Sequence, residues 1–389
     1  MSLGCGGLLK NVKSECVLHY FTRISLCLTM CTSDESPHTA DRPVGGSLIN
    51  TDLSARRNEY YFEPPCFTHP ALLRLLRDPR DAPMLYLLLN IILFTLPGAY
   101  IVFAARSHAV GLLFWLANSL LFQERFLLCM HFYSHRAVFK NAWLNSCVLT
   151  VLSPFFGVPC GLYYLHHVVM HHVEDNHAGR DLSSTEPYQR DSLLHFGLYW
   201  LRFVALVWFE LPAYALRTRR YGLAFFSAWC TCAGAALVGT LLQADAYWHG
   251  AVWLFVMPTL LNSLLLMLGN WSQHIFIDPD APRSDYHLTY NVINSACNQR
   301  TFNDGYHTEH HLNSRKHWSE LPSSFMSNLQ RYAEEDAIVF KDTDFISIGC
   351  LVFRQRYDLL ARHYVQLRHP PRSVQEIEAK LRACLRPVC

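Results

Sequence analysis

The chain has 389 residues, a net charge of +2, 51% hydrophobic residues and only 16% charged ones. A soluble domain carries about a quarter charged residues, so this deficit argues for a membrane protein. The near-neutral balance excludes a basic field that would hold nucleic acid.

Residues 1–50 are rich in Ser, Thr, Gly and Cys and show no sustained period. The stretch "FTRISLCLTM" is too short an apolar run to span a bilayer. With Lys10, Lys13 and Arg23 nearby it could belong to a transit peptide, but a disordered tail is the simpler reading. The tail is expected to reach residue 70, followed by a membrane domain over 71–325 and a cytosolic helical extension over 326–389.

Residues 83–105 carry no charge and are long enough to span, and 110–122 follow after a short turn. These predict one helical hairpin. Residues 223–244 and 251–269 predict a second. Two further apolar stretches are interrupted. Residues 143–165 contain Pro154, Gly157, Pro159 and Gly161, and 198–217 contain Arg202, Glu210 and Pro212. Both read as re-entrant or interfacial, and Trp200, Trp208 and Tyr214 suit an interface. Glu124 and Arg125 are expected where the second helix leaves the hydrocarbon.

Arg74, Arg77 and Arg80 precede the first hairpin, and Arg217, Arg219 and Arg220 the second, whereas the turn 245–249 has no Lys or Arg. The positive-inside rule then puts both termini and the long loops in the cytoplasm. From about residue 275 the chain is polar. Phe353, Tyr357, Leu360, Tyr364 and Leu367 predict an amphipathic helix, and Ser373 with Glu376 a capping box. Fourteen scattered cysteines without a CxxC pair read as reduced and structural.

The 21 histidines are the compositional oddity. "HFYSH" sets His131 and His135 four apart. "HHVVMHH" holds His167, His171 and His172. "HTEHH" holds His307, His310 and His311. Residues three or four apart share a helix face, so each cluster can aim two or three imidazoles at one point. With two hairpins and two non-spanning segments, all three clusters fall on the cytoplasmic side. Eight imidazoles are too many for one zinc, which takes about four protein ligands at most. Two metals with about four or five ligands each would use the supply, and iron suits both imidazole and O2 chemistry beside a lipid.

This order of HxxxH, HxxxHH and HxxHH around two hairpins resembles the membrane fatty acid desaturase superfamily, over roughly residues 84–325. Arg136 closing "HFYSHR" and the run "FNDGYHTEHH" are similar to the family's first and third boxes. "GNWSQHIFIDP" is similar to the Asn-x-x-x-His of stearoyl-CoA desaturases. The resemblance implies an all-α integral membrane fold with four transmembrane helices in two hairpins, interfacial helices and a cytosolic helical cap carrying a dimetal site. It implies His131, His135, His167, His171, His172, His274, His307, His310 and His311 as ligands of two Fe, with Asn270 reaching metal through water. The second box has one residue more between its histidines than many members have. This leaves His166 or His167 open, and helical spacing prefers His167.

The activity implied is O2-dependent introduction of a double bond into a fatty acyl chain. A lipid or carotenoid hydroxylase or ketolase shares the same boxes, and a degenerate relative would keep them without activity. From another class, a membrane zinc hydrolase or receptor-like protein would leave most of the boxes unexplained. No "HPGG" motif occurs, so the expected electron donor is a separate protein: cytochrome b5 with its reductase, or ferredoxin in a plastid. The expected location is the endoplasmic reticulum with the site facing the cytosol, a plastid membrane being the alternative.

Other polar residues near the boxes carry lesser expectations. Glu174 and Asp175 could hold histidine N–H groups, or could be ordinary loop residues. His177 is a weaker ligand candidate. Glu309 is expected to face solvent or orient a histidine, and His317 and Trp318 to pack on the surface. His108 and His249 fall in the extracytoplasmic turns. Residues 181–191 could cover a substrate entrance.

Overall fold

The computed structural model describes residues 48–53 and 62–388. The expected transit or tail segment therefore lies almost wholly outside the described residues. Within them, the short helix Asn50–Leu53 is docked rather than loose. Ile49 is buried, and the Asp52 carboxylate accepts from Tyr306 Oη at 2.6 Å and from Asn298 Nδ2 at 3.2 Å.

The first hairpin forms as its uncharged run requires. Helix α1 spans Ala82–Ala105 and ends at Arg106 in left-handed backbone (φ 49°). Ser107 then opens helix α2, His108–His135. At 1.5 Å per residue, the 28 residues of α2 reach about 42 Å, more than the ~30 Å of a bilayer core. The end carrying His131 and His135 therefore projects beyond the hydrocarbon. The helix runs on unbroken, Arg125 is buried and Glu124 lines a cavity.

Residues 142–156 form a short broken helix, ended by Gly157 in left-handed backbone (φ 80°). Gly157 has no room for a side chain: a Cβ there would strike the Pro258 carbonyl. Residues 193–217 are not broken at Arg202, Glu210 or Pro212. They form one continuous helix, α3, Leu193–Arg217, through Pro212. Arg202 and Glu210 pair with each other at 2.9 Å, and Arg202 also donates to the Leu182 carbonyl, which offsets the cost of both charges. Helix α4 follows over Tyr221–Gln243, and a further helical run over Trp248–Gln273 ends in α5, Ser263–Gln273. The described residues thus include five helices long and apolar enough to cross a membrane, where four were expected. Phe225, Trp229 and Leu237 of α4 are exposed, as lipid-facing side chains should be.

Polar side chains tie helices together inside this apolar shell, both between the two hairpins and within the first. Asn262 donates to Gln123 Oε1 at 2.8 Å and accepts from Trp115 Nε1 at 3.0 Å, and Thr95 donates to Asn118 Oδ1 at 2.7 Å. Such bonds contribute about 0.6 kcal/mol each in a membrane, and they fix which helix faces meet.

The polar end is built on a short parallel pair, β1 (Asn291–Ile293) with β2 (Val339–Lys341). Helix α6, His307–Leu312, lies against β1. The expected amphipathic helix over 353–367 is instead two helices, α7 (Phe345–Phe353) and α8 (Tyr357–His363). Gln355 in left-handed backbone (φ 57°) separates them. Helix α9, Val374–Ala383, carries the expected capping box of Ser373 and Glu376. Eight described cysteines are free, and Cys350 departs from expectation by being disulfide-bonded.

Candidate metal centre

Four elements bring the histidines to one place. His131 and His135 stand one turn apart at the end of α2. His274 directly follows α5, and its N–H donates to the Asn270 carbonyl at 3.1 Å. His307, His310 and His311 occupy α6, whose second residue, Thr308, donates its N–H to Asn291 Oδ1 of β1 at 2.9 Å. The second box is wound more loosely. Leu165–His171 is a π-helical turn, in which residues five apart stack.

That winding corrects the face-sharing expected from α-helical spacing. His167 partners His172, with ring centroids 4.7 Å apart, and His171 is released towards His274 at 5.0 Å. His166 points away and hydrogen-bonds Ser183 Oγ at 2.9 Å, so the geometry favours His167.

Two groups result. In the first, one ring nitrogen from each of His131, His135, His167, His172 and His310 lies within 4.8 Å of the others. In the second, His171, His274 and His311 meet the same criterion, and the His307 ring lies 5.3 Å from His274 and 4.9 Å from His311. His172 and His311, 4.6 Å apart, link the groups. All nine histidines expected from the sequence are therefore brought together.

The nitrogens within the groups face one another. His310 Nε2 is 2.7 Å from His131 Nε2 and 2.9 Å from His172 Nε2. His135 Nε2, His167 Nε2, His274 Nε2 and both ring nitrogens of His307 and His311 are buried without a hydrogen-bond partner. A buried polar atom left so costs about 1–3 kcal/mol, and a folded chain rarely accumulates many. A shared cation satisfies them together, and an all-imidazole donor set suits iron, zinc, copper or nickel. Burial, reinforced by neighbouring imidazoles, holds His167, His172, His307, His310 and His311 well below the ordinary histidine value. It pushes His274 down to about 3. These rings are neutral at pH 7, the form that binds metal.

The rings are oriented by groups that the sequence did not single out. Asp181 Oδ2 lies 2.7 Å from His171 Nδ1 and leaves Nε2 to face the group. Asp181 is itself held by Ser183 N–H and Oγ, both 2.8 Å from its other oxygen. Burial alone would raise the Asp181 carboxyl, but pairing with His171 outweighs this and keeps it ionised. The Leu288 carbonyl lies 3.0 Å from His274 Nδ1. Asp304, 3.5 Å from His131 Nδ1, is pushed up to about 7 by burial, against a hydrogen bond from Gln273.

Several expectations about neighbouring residues are corrected. Glu174 accepts from Tyr214 Oη at 2.8 Å and holds no histidine, while Asp175 lies 4.0 Å from His311 Nδ1. Glu309 does not face solvent. It is fully buried and accepts from Tyr332 Oη and Asn328 Nδ2, with Lys316 Nζ 3.3 Å away. His317 and Trp318 are buried too, and both meet Asp81 Oδ1 at 3.0 Å, which ties the third box to the start of α1. Residues 181–191, expected to cover a substrate entrance, do not line the cavity described below. Ser183, Thr185 and Arg190 are fully buried, and Arg190 donates to the Ile275 and Cys384 carbonyls. Asn270 gives its amide to Tyr199 Oη at 2.7 Å and to the Ser183 carbonyl at 3.2 Å. His177 meets the Ala178 carbonyl and joins neither group. The His108 and His249 rings pack against one another, tilted by 50° with centroids 4.6 Å apart, away from the groups.

A cavity of about 370 Å³ runs alongside the histidines. His131, His167, His171 and His307 line it, together with Leu127, Leu128, Leu265 and Leu268. Such a space fits a flexible apolar chain laid against the histidines.

Residues 107–341 match the family described as fatty acid desaturase. The chain belongs to the fatty acid desaturase family. No curated protein and no solved structure shows a significant match. The family makes this a desaturase-type oxidoreductase with metal-dependent chemistry, and the five long apolar helices fit a membrane protein. The matched region holds both histidine groups but ends before α7.

Proposed function

We propose that the protein is a membrane-bound di-iron lipid desaturase that introduces a double bond into an acyl chain with O2. The observation that carries this reading is the convergence of nine imidazoles in two linked groups beside an apolar cavity. The first group would hold one iron through His135, His167, His172 and His310 with His131. The second would hold the other through His171, His274, His307 and His311, with Asn270 reaching it through water. A bound iron pair supplies the activation of O2 and the removal of hydrogen from an unactivated C–H bond. The chain keeps the imidazoles neutral and aimed, lays the substrate along the leucine wall, and excludes bulk water by burying the site. A hydroxylase would use the same residues, since nothing in the cavity separates loss of a second hydrogen from insertion of oxygen.

Parity supports four crossings. His131 and His274 belong to the two linked histidine groups of one site, so the chain crosses an even number of times between them. Three long apolar helices intervene: α3, α4 and Trp248–Gln273. One must therefore lie without crossing, and α3, with its Arg202–Glu210 pair, is the candidate. Both termini then face the cytosol, in the endoplasmic reticulum, and a separate electron donor such as cytochrome b5 approaches from that side.

Expression of the intact protein, with His310→Ala/His311→Ala as control, tests the reading by lipid mass profiling. A product lighter by two hydrogens and absent in the control is expected, whereas one heavier by oxygen would make the protein a hydroxylase. No new product would sink both. A tag at residue 247 is expected on the lumenal face, and a cytosolic tag would overturn the topology.

A further inference from the structure

Residues beyond the family match complete the cavity. Phe345, Ile346 and Cys350 of α7 line it, as do Leu127 and Leu128 of α2. Helix α7 is pressed directly onto α5. Gly349 permits this approach, because a Cβ there would collide with Ser272 Oγ. The Phe345 ring is wedged between Tyr290 at 5.2 Å and His307 at 5.9 Å. One side chain of α7 thus touches both a histidine of the second group and the space where substrate would lie. Ile346 is only half-buried in protein and offers its remaining surface to that space.

From this we infer that α7 is the selectivity wall of the site: Phe345 and Ile346 set which chain length is accepted and which carbon rests beside the histidines. The inference rests on the lipid desaturase reading above. Its physical basis is simple. The α2 and α5 walls are spanning helices fixed by their own packing, whereas α7 closes the cavity from the cytosolic side, so its side chains set the remaining width. A single methylene in an apolar pocket shifts discrimination by about tenfold or more.

The test compares wild type, Ile346→Ala and Ile346→Phe as full-length proteins, each fed two saturated chains differing by two carbons. The readouts are the product ratio, the double-bond position and the metal content. Ile346→Ala should shift the ratio roughly tenfold towards the longer chain, and Ile346→Phe a similar amount towards the shorter, with metal content unchanged. Wild-type ratios and positions in both variants would overturn the inference while leaving the desaturase reading intact. No product from wild type would fail the reading itself. If the variants do not fold, a diazirine-bearing acyl chain on wild-type protein decides. Photolabelling within residues 345–350 is expected, and labelling that misses them overturns the inference.

Discussion

The two histidine groups are built differently. In the second, His171 and His274 each have one ring nitrogen fixed by a protein acceptor, Asp181 or the Leu288 carbonyl, so the other nitrogen is aimed before any metal arrives. In the first, His131, His172 and His310 meet mainly one another, at 2.7 and 2.9 Å. Among the described residues, Asp304 stands behind them, 3.5 Å from His131 Nδ1. The chain thus orients His171 and His274 of the second group, while the close ring pairs of the first are made among the histidines themselves. Preorganisation should therefore appear as a difference in how each group loses metal.

The largest effect is expected from His310→Ala, which removes the nitrogen at the centre of the first group. Activity should vanish, and metal analysis should show at least one ion lost per chain. Retention of both ions would break the shared-site reading.

Acidification comes next. The buried imidazoles sit below the ordinary value of 6.5, so the folded site takes up protons less readily than the unfolded chain. Their contribution to stability is full above pH 6.5 and declines as pH falls below it, with His274 charging only near 3. Metal retention and thermal stability should fall together below pH 6.5, and a metal content flat down to pH 4 would contradict this.

A smaller effect is expected from Asp181→Asn. Loss of the carboxylate behind His171 should weaken one metal about 10–100-fold and leave the first group's ion in place. Stepwise chelation of purified protein would show this, and simultaneous loss of both ions would erase the distinction between the groups. Smallest is Glu309→Gln, which perturbs the buried support of α6 without touching a ring. It should lower stability by about 1–3 kcal/mol, read by thermal unfolding, with metal stoichiometry preserved.

The sequence by itself picked out the nine histidines that converge and the long apolar helices. Uncharged runs such as 83–105 have no other stable state than a buried or lipid-facing helix, and histidines at fixed local spacing must share a face. It also located the capping box at Ser373, because that motif is closed within four residues. The tertiary structure alone decided how the rings divide. Assigning His167 and His172 to one group and His171 to the other required a π-helical turn that local spacing does not announce. Asp181, Glu309 and His317 are buried by residues distant in the chain, so their polarity looked like solvation until the partners were in place. The same holds for α7. Phe345 and Ile346 are unremarkable as sequence, and only the approach allowed by Gly349 against Ser272 makes them a wall of the cavity, because a surface between helices is a property of their packing.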